Sequence, residues 1–244
     1  MRICSIAAFI SISILASASA DAASMEEVVY ATQPTRLTGY LCKPANLAPG
    51  KQAAVLYNHG GMQAIIGGAP KETCAALAEA GFIGFAPIRR PTMEVGPSRA
   101  DVRTALAYLA NLDIVDPKRI AMVGFSRGGA LTFMAAAEEA AISAAVIMAS
   151  AAPPAQSGFT LADAPKIKIP VFLIVAENDT GSKKTNGQNT IAGMKRMQTA
   201  LNEAGNPARL VVYPRFRTSD GHEMFEEIGV YWPDVVAFLK QQLP

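Results

Sequence analysis

The sequence predicts an α/β fold in which helices cover both faces of one mostly parallel sheet. Apolar runs such as residues 53–58 and 170–176 are continuous rather than alternating, as expected of strands that are buried on both faces. Helix-forming segments separate these runs, which is the order found in β-α-β units. The chain has 244 residues, half of them hydrophobic, which is enough for one domain with a substantial core.

Eight strands are predicted from apolar runs bounded by turn-forming residues. In chain order they are residues 26–31, 36–42, 53–58, 82–86, 119–123, 145–149, 170–176 and 208–213. The first two are close together and flank Gln33, Pro34 and Thr35, so we expect them to form a hairpin.

Helices are predicted between most of these strands and after the last one. They are residues 70–80, 98–111, 130–137, 188–204 and 232–242. Gly81 and Gly205 are expected to follow two helix ends, because glycine readily adopts the left-handed conformation found there. Ser98 is expected to cap the start of the second helix. Between residues 150 and 169 there is room only for a loop or one helical turn, which predicts an open pocket.

Residues 124–129, GFSRGG, contain the pattern G-x-S-x-G between an apolar strand and an alanine-rich helix. The small residues let strand and helix approach each other, so that Ser126 projects from the apex of a very tight turn. A serine hydroxyl is a poor nucleophile unless a base removes its proton. The motif therefore requires a histidine, and an acid that orients the histidine.

The chain has only two histidines, His59 and His222. In enzymes with this turn, the catalytic residues follow one another in the order serine, acid, histidine. His222 obeys that order, since it comes after Ser126, and His59 does not. His222 is therefore the predicted base.

The acid is expected between the serine and the histidine, directly after a strand. Residues 169–176 are the only strongly apolar strand candidate between residues 155 and 205. Asp179 follows this run and is the predicted acid. Glu177 and Asp163 remain alternatives.

Acyl transfer at a serine also needs hydrogen-bond donors for the negatively charged oxygen of the intermediate. One donor is expected to be the backbone N–H of Arg127, directly after the nucleophile. The other is expected near Gly61 or Met62, in the loop after the third strand. His59 lies in that loop, and we expect it to shape the loop through hydrogen bonds rather than to transfer a proton.

These residues together resemble the α/β-hydrolase superfamily, and more narrowly the dienelactone-hydrolase-like group with its prolyl-oligopeptidase relatives. The resemblance rests on NHGG at residues 58–61, the GFSRGG turn, Asp179 after a strand, and His222 after a glycine. It extends from roughly residue 36 to the C-terminus. It implies an α/β-hydrolase fold, a minimal lid and a serine hydrolase without cofactor. The serine stands where dienelactone hydrolases usually carry cysteine, which favours a general carboxylesterase.

Two other functions remain open at this stage. A serine peptidase related to prolyl oligopeptidases would use the same three residues. A catalytically silent α/β-hydrolase fold used for binding is the other alternative.

Several arginines lie near the predicted pocket, and a guanidinium can bind a carboxylate through two parallel hydrogen bonds. They are Arg89, Arg90, Arg127, Arg215 and Arg217. As in the dienelactone-type relatives, one of them is hypothesised to bind an acidic group of the substrate. Arg90, Arg217 and Met62 are the candidate substrate-binding residues, and the alternative for the arginines is ordinary surface ion pairs.

Residues 1–20 have the layout of a secretory signal peptide: a positive start, an apolar segment and small residues. Cleavage is expected after Ala20, with Ala18 and Ala23 as alternatives, which leaves residues 21–244 as a single periplasmic or secreted domain. Export would remove Cys4. Cys42 and Cys74 would remain, and the sequence does not decide between a disulfide and two buried thiols.

The charge of the chain is nearly balanced, with 22 Lys and Arg against 20 Asp and Glu. Nothing in this pattern indicates a nucleic-acid partner or a polybasic membrane anchor. No cysteine or histidine cluster has the spacing of metal ligands. The expected partner is a small-molecule ester, with no stable membrane association after signal cleavage and the oligomeric state left open.

Overall fold

The structure, a computed structural model, describes residues 23–150, 159–217 and 220–244. Its eight strands are β1 Ser24–Ala31, β2 Leu37–Lys43, β3 Gln52–Asn58, β4 Ile83–Pro87, β5 Val115–Phe125, β6 Ala144–Met148, β7 Val171–Ala176 and β8 Arg209–Tyr213. They form one sheet in the order β1-β2-β4-β3-β5-β6-β7-β8. The predicted signal peptide, residues 1–20, lies outside the described residues.

The sheet is mostly parallel, as predicted. The hairpin of β1 and β2 is antiparallel and joins the sheet antiparallel to β4, whereas every neighbouring pair from β4 to β8 is parallel. The continuous apolar runs of β6 and β7 are buried along their whole length. The fold class expected from these runs is therefore confirmed.

Five α-helices pack around the sheet. They are α1 Pro70–Glu79, α2 Val95–Ala110, α3 Arg127–Glu138, α4 Thr190–Glu203 and α5 Trp232–Gln242. Two short 3-10 helices, Leu161–Lys166 and Gly221–Glu226, complete the regular elements of the described residues. The first of them occupies the segment in which the sequence left room for a loop or one helical turn. None of the helices in the described ranges has the length and hydropathy needed to cross a bilayer.

The expected cap of α2 is wrong. The helix begins at Val95, and the hydroxyl of Ser98 lies within its first turn, where it donates to the carbonyl of Glu94. Pro97 does not prevent this earlier start, because the first N–H groups of a helix have no intrahelical acceptor.

Cys42 and Cys74 form a disulfide, which settles the alternative that the sequence left open. Both residues are fully buried, and the bridge joins β2 to α1 across 32 residues of sequence. It therefore fixes the helix that follows the loop after β3.

The parallel strands bring distant loops to one edge of the sheet, since their carboxyl ends all point the same way. β3 leads into the loop of residues 59–69, and β5 leads into Ser126. β7 leads into residues 177–189, and the segment after β8 leads to His222. The candidate residues of the site come from these four connections.

Candidate active site

Ser126 occupies a sharp turn between β5 and α3, with a positive φ of 54°. A non-glycine residue in such a conformation is strained, and the surrounding structure must hold it. The N–H of Ser126 donates to the carbonyl of Met148 at 2.9 Å. A Cβ atom on Gly124 would overlap the carbonyl of Gly128, and one on Gly128 would overlap that of Asn58. Only glycine at both positions lets the strand, the helix and the loop after β3 meet at this turn.

Ser126, His222 and Asp179 form one chain of hydrogen bonds. The Nε2 atom of His222 lies 2.9 Å from Ser126 Oγ, and its Nδ1 atom lies 2.7 Å from Asp179 Oδ2. Asp179 is fully buried and His222 almost so, whereas Ser126 is half-buried. The structure thus places the three predicted residues in contact, in the order that a base between a nucleophile and an acid requires.

The two alternative acids lie elsewhere. Glu177 is exposed, and its backbone N–H donates to the carbonyl of Tyr213. Asp163 accepts from Lys166 at 2.6 Å on the surface. Neither carboxylate contacts the imidazole of His222.

The position of His222 depends on three neighbours, Asp220, Gly221 and Phe125. The carboxylate of Asp220 accepts from the backbone N–H of His222 at 3.0 Å and caps the 3-10 helix. A Cβ atom on Gly221 would come within 2.6 Å of the backbone nitrogen of Asp179, so glycine permits the close approach. The ring of Phe125 packs on the imidazole, with centroids 4.7 Å apart. An Asp two residues before the histidine is the capping signal that could have indicated this arrangement.

The backbone of Asp179 is hydrogen-bonded to the start of α4. Its backbone carbonyl accepts from the Thr190 hydroxyl and from the Ile191 N–H, both at 3.1 Å. Its Oδ1 atom is buried and has no hydrogen-bond partner among the described residues. The other oxygen, Oδ2, lies at hydrogen-bond distance from Nδ1 of His222 and can accept a hydrogen bond from it.

His59 is buried and organises the loop after β3, as expected. The backbone N–H of Arg89 donates to its Nε2 atom at 3.2 Å, so Nδ1 carries the proton and donates to the Gly60 carbonyl at 2.6 Å. The guanidinium of Arg89 donates to the His59 carbonyl at 2.6 Å. Burial and the charge of Arg89 lower the pKa of His59 to about 3, which keeps the ring neutral.

This network fixes the orientation of the Gly60–Gly61 peptide. The carbonyl of Gly60 accepts from His59 and from the N–H of Gly67 at 3.3 Å. In a trans peptide the following N–H points the opposite way, so the Gly61 N–H faces away from His59. Gly61 itself has a φ of 82° and lines the cavity beside Ser126.

A cavity of about 560 Å³ borders Ser126 and His222. The loop after β3 supplies an apolar part of its wall through Met62, Ile65 and Ile66. The loop after β7 supplies a polar part, in which Lys183 and Lys184 carry the positive charge. Met62, one of the candidate substrate-binding residues, therefore lines the cavity.

Two of the candidate substrate-binding residues lie outside the lining of this cavity and have other partners. Arg90 lies outside the lining and binds the buried carboxylate of Asp101 through Nε and Nη2, at 2.9 and 2.5 Å. Arg217 is exposed and pairs with Glu227 at 2.7 Å. Even Arg127, which borders the cavity, directs its guanidinium to the carbonyls of Met93 and Glu94. Proximity to a strand end could not reveal these partners, because Asp101 lies in helix α2 and Met93 and Glu94 immediately precede that helix.

Comparison with solved structures identifies the same fold. A protein from Klebsiella pneumoniae, provisionally assigned as a dienelactone hydrolase, superposes with a TM-score of 0.71 at 21% identity, over 91% of this chain and 100% of its own. An esterase structure from Rhizomucor miehei matches with a TM-score of 0.71 at 14% identity, over 91% and 85% of the two chains. Acylaminoacyl peptidase from Pyrococcus horikoshii also gives 0.71 at 14% identity, but this chain covers only 42% of it.

A comparison with curated proteins gave no match. In the described residues, no group of three or more His, Cys, Asp or Glu side chains is arranged to hold a metal ion.

Comparison with models of protein families shows the family to which the chain belongs. The sequence model of the dienelactone hydrolase family matches residues 91–229, which is more than half of the 244 residues and includes Ser126, Asp179 and His222. The chain therefore belongs to the dienelactone hydrolase family, within the α/β hydrolases.

Proposed function

We propose that this protein is a serine hydrolase that cleaves carboxylic esters of modest size through an acyl-serine intermediate. The observation that carries the proposal is the hydrogen-bonded chain of Ser126, His222 and Asp179 at the edge of an open cavity. His222 takes the hydroxyl proton as Ser126 Oγ attacks the ester carbonyl. Asp179 holds the imidazole tautomer and stabilises the imidazolium.

The oxyanion of the tetrahedral intermediate is proposed to bind two backbone N–H groups, those of Gly61 and Arg127. Arg127 is the first residue of α3, and the first N–H groups of a helix have no intrahelical acceptor and lie at its positive end. The intermediate collapses as His222 returns the proton to the leaving alcohol. Water then attacks the acyl carbon, His222 accepts its proton, and the acid is released with Ser126 regenerated.

Ester hydrolysis is distinguished from peptide hydrolysis by one set of assays. Short acyl esters and aminoacyl amides are compared with the wild type and with Ser126→Ala. We expect kcat/KM to be higher for the esters and to depend on Ser126. Equal or faster cleavage of the amides would favour a serine peptidase, and failure of a fluorophosphonate probe to label the wild type would favour a binding protein.

We further propose that the protein is exported and loses residues 1–20. The layout of the N-terminus supports this, and so does the buried Cys42–Cys74 disulfide, since disulfides persist mainly in oxidising compartments. Mass spectrometry of the protein from a native exporting host tests the proposal. A mature chain that begins at Asp21 is expected, and an intact N-terminus on cytoplasmic protein would contradict it.

A further inference from the structure

Glu226 is the last residue of the 3-10 helix that begins at Gly221 and carries His222. Its side chain is exposed and lines the cavity beside the proposed nucleophile. No sequence motif assigns it a role. The structure nevertheless connects it directly to the loop of residues 59–69, which we call the oxyanion loop because it carries Gly61.

The connection is a hydrogen bond across 158 residues of sequence. The backbone N–H of Gly68 donates to Oε2 of Glu226 at 2.7 Å. Glu226 therefore joins the element that carries the base to the loop that carries the proposed oxyanion donor.

Within the oxyanion loop, backbone hydrogen bonds connect the neighbour of Gly68 to the neighbour of Gly61. Gly68 follows Gly67, which exchanges two backbone hydrogen bonds with Gly60, at 2.9 and 3.3 Å. Gly60 immediately precedes Gly61. The carbonyl of Gly68 also accepts from the hydroxyl of buried Tyr57, so both polar backbone atoms of Gly68 are held.

Glycine at position 68 is required for this approach, and glycine at position 67 leaves more room for it. A Cβ atom on Gly67 would lie 3.2 Å from Oε1 of Glu226, tighter than most real contacts. A Cβ atom on Gly68 would overlap the Tyr57 hydroxyl and come within 2.5 Å of the Phe125 ring. The two glycines thus leave room for the carboxylate to reach the loop backbone.

We propose that Glu226 is a positioning residue, which sets the spacing between His222 and the oxyanion loop through the Gly68 N–H. The inference rests on the proposed function, because it assigns Glu226 a part in the same acyl transfer. Oxyanion donors act only when they sit at hydrogen-bond distance from the developing charge. A misplacement of about 1 Å at such a site can reduce the rate by about a hundredfold.

Three substitutions separate positioning from charge. Glu226→Gln keeps an oxygen that accepts from Gly68 but removes the charge. Glu226→Met removes the acceptor at similar length, and Glu226→Ala repeats that test without an added apolar group in the cavity. The matched control is Glu227→Gln, since Glu227 pairs with Arg217 on the surface and does not line the cavity.

With a neutral short-chain ester, we expect Glu226→Met and Glu226→Ala to lower kcat by about ten- to a hundredfold, with KM changed less than about threefold. Glu226→Gln and the control should stay within about threefold of the wild type. Hydrogen exchange at the Gly68 amide, measured by NMR, should be at least about tenfold faster in the Met and Ala variants than in the wild type and the Gln variant.

Wild-type kcat in the Met or Ala variant would overturn the inference, and so would a Gln variant as slow as these two, because charge alone would then explain the effect. Unchanged Gly68 exchange in a slow variant would also overturn it. Ser126→Ala in the same series separates the two proposals. An active Ser126→Ala would remove the proposed function together with this inference. An inactive Ser126→Ala beside a fully active Glu226→Ala would remove this inference alone.

Discussion

The Nε2 atom of His222 lies 2.9 Å from the Oγ atom of Ser126, although 96 residues separate them in the chain. Two neighbours make this contact possible. Gly221 allows the 3-10 helix to approach the backbone of Asp179, and the ring of Phe125 packs on the imidazole. The imidazole therefore lies within hydrogen-bond reach of the hydroxyl whose proton it is proposed to accept.

The first prediction distinguishes Asp179 from Glu177, which follows the same strand. Asp179→Asn should lower kcat by about 10³- to 10⁴-fold, because an amide at this position favours the wrong tautomer of His222. Glu177→Gln should leave kcat within about twofold of the wild type, since Glu177 is exposed and does not contact the imidazole. Steady-state kinetics on one ester decides the matter. A larger loss in Glu177→Gln than in Asp179→Asn would identify Glu177 as the acid.

The second prediction concerns the pH dependence of stability due to His59. Its pKa is lowered to about 3 in the folded protein, against about 6.5 for an exposed histidine. Between these values the unfolded chain binds a proton that the folded protein does not, so the free energy of unfolding decreases as the pH falls. From pH 8 to pH 5 this contribution amounts to about 2 kcal/mol.

His59→Asn isolates that effect, because an asparagine amide can still donate to the Gly60 carbonyl but does not titrate. Urea unfolding of both proteins at pH 8 and pH 5 gives the difference in their stabilities. The difference should shift by about 2 kcal/mol in favour of the variant at the lower pH. A difference that is the same at both pH values would mean that His59 is not held neutral by burial.

The third prediction concerns the disulfide between Cys42 and Cys74. It closes a loop across a sequence separation of 32 residues, for which the chain-entropy relation gives about 3–4 kcal/mol of stabilisation. The double variant Cys42→Ala, Cys74→Ala should lose about that free energy of unfolding. Its kcat at a temperature well below its Tm should stay within about threefold, since neither cysteine lines the cavity. Equal stability in both proteins would contradict the assigned role.

The fourth prediction replaces the arginine hypothesis, because Arg90 and Arg217 are engaged elsewhere. Lys183 lines the cavity, so Lys183→Gln should lower kcat/KM for an ester with a carboxylate substituent by about three- to fivefold. The value for the matched neutral ester should hardly change. Lys168→Gln, an exposed lysine outside the lining, is the control.

The effect should weaken as salt is raised, because Lys183 is exposed and salt screens exposed charges. Equal losses for the anionic and the neutral ester would show that Lys183 does not distinguish substrate charge.

The sequence was sufficient to predict the sheet and to select the three residues that the structure brings into contact. Strands buried on both faces are apolar throughout, and a chain with two histidines offers only one that follows Ser126 in the required order. Asp179 could be selected in the same way, since it lies just past a buried strand.

Side-chain partners set by tertiary packing could not be predicted. Arg90 pairs with Asp101 because α2 lies beside the end of β4, and no local pattern shows that contact. Glu226 contacts Gly68 across 158 residues and belongs to no motif. The early start of α2 was missed because Ser98 was taken as the cap of the helix, whereas its hydroxyl donates to the carbonyl of Glu94 inside the first turn.

The central claim is that Ser126 forms the covalent acyl intermediate. Its most direct test is the kcat of Ser126→Ala on a short acyl ester, with the Tm measured on the same preparation. A loss of at least about 10³-fold in kcat at an unchanged Tm is predicted, since only binding and oxyanion stabilisation would remain. A folded Ser126→Ala protein that keeps most of the wild-type rate would contradict the claim.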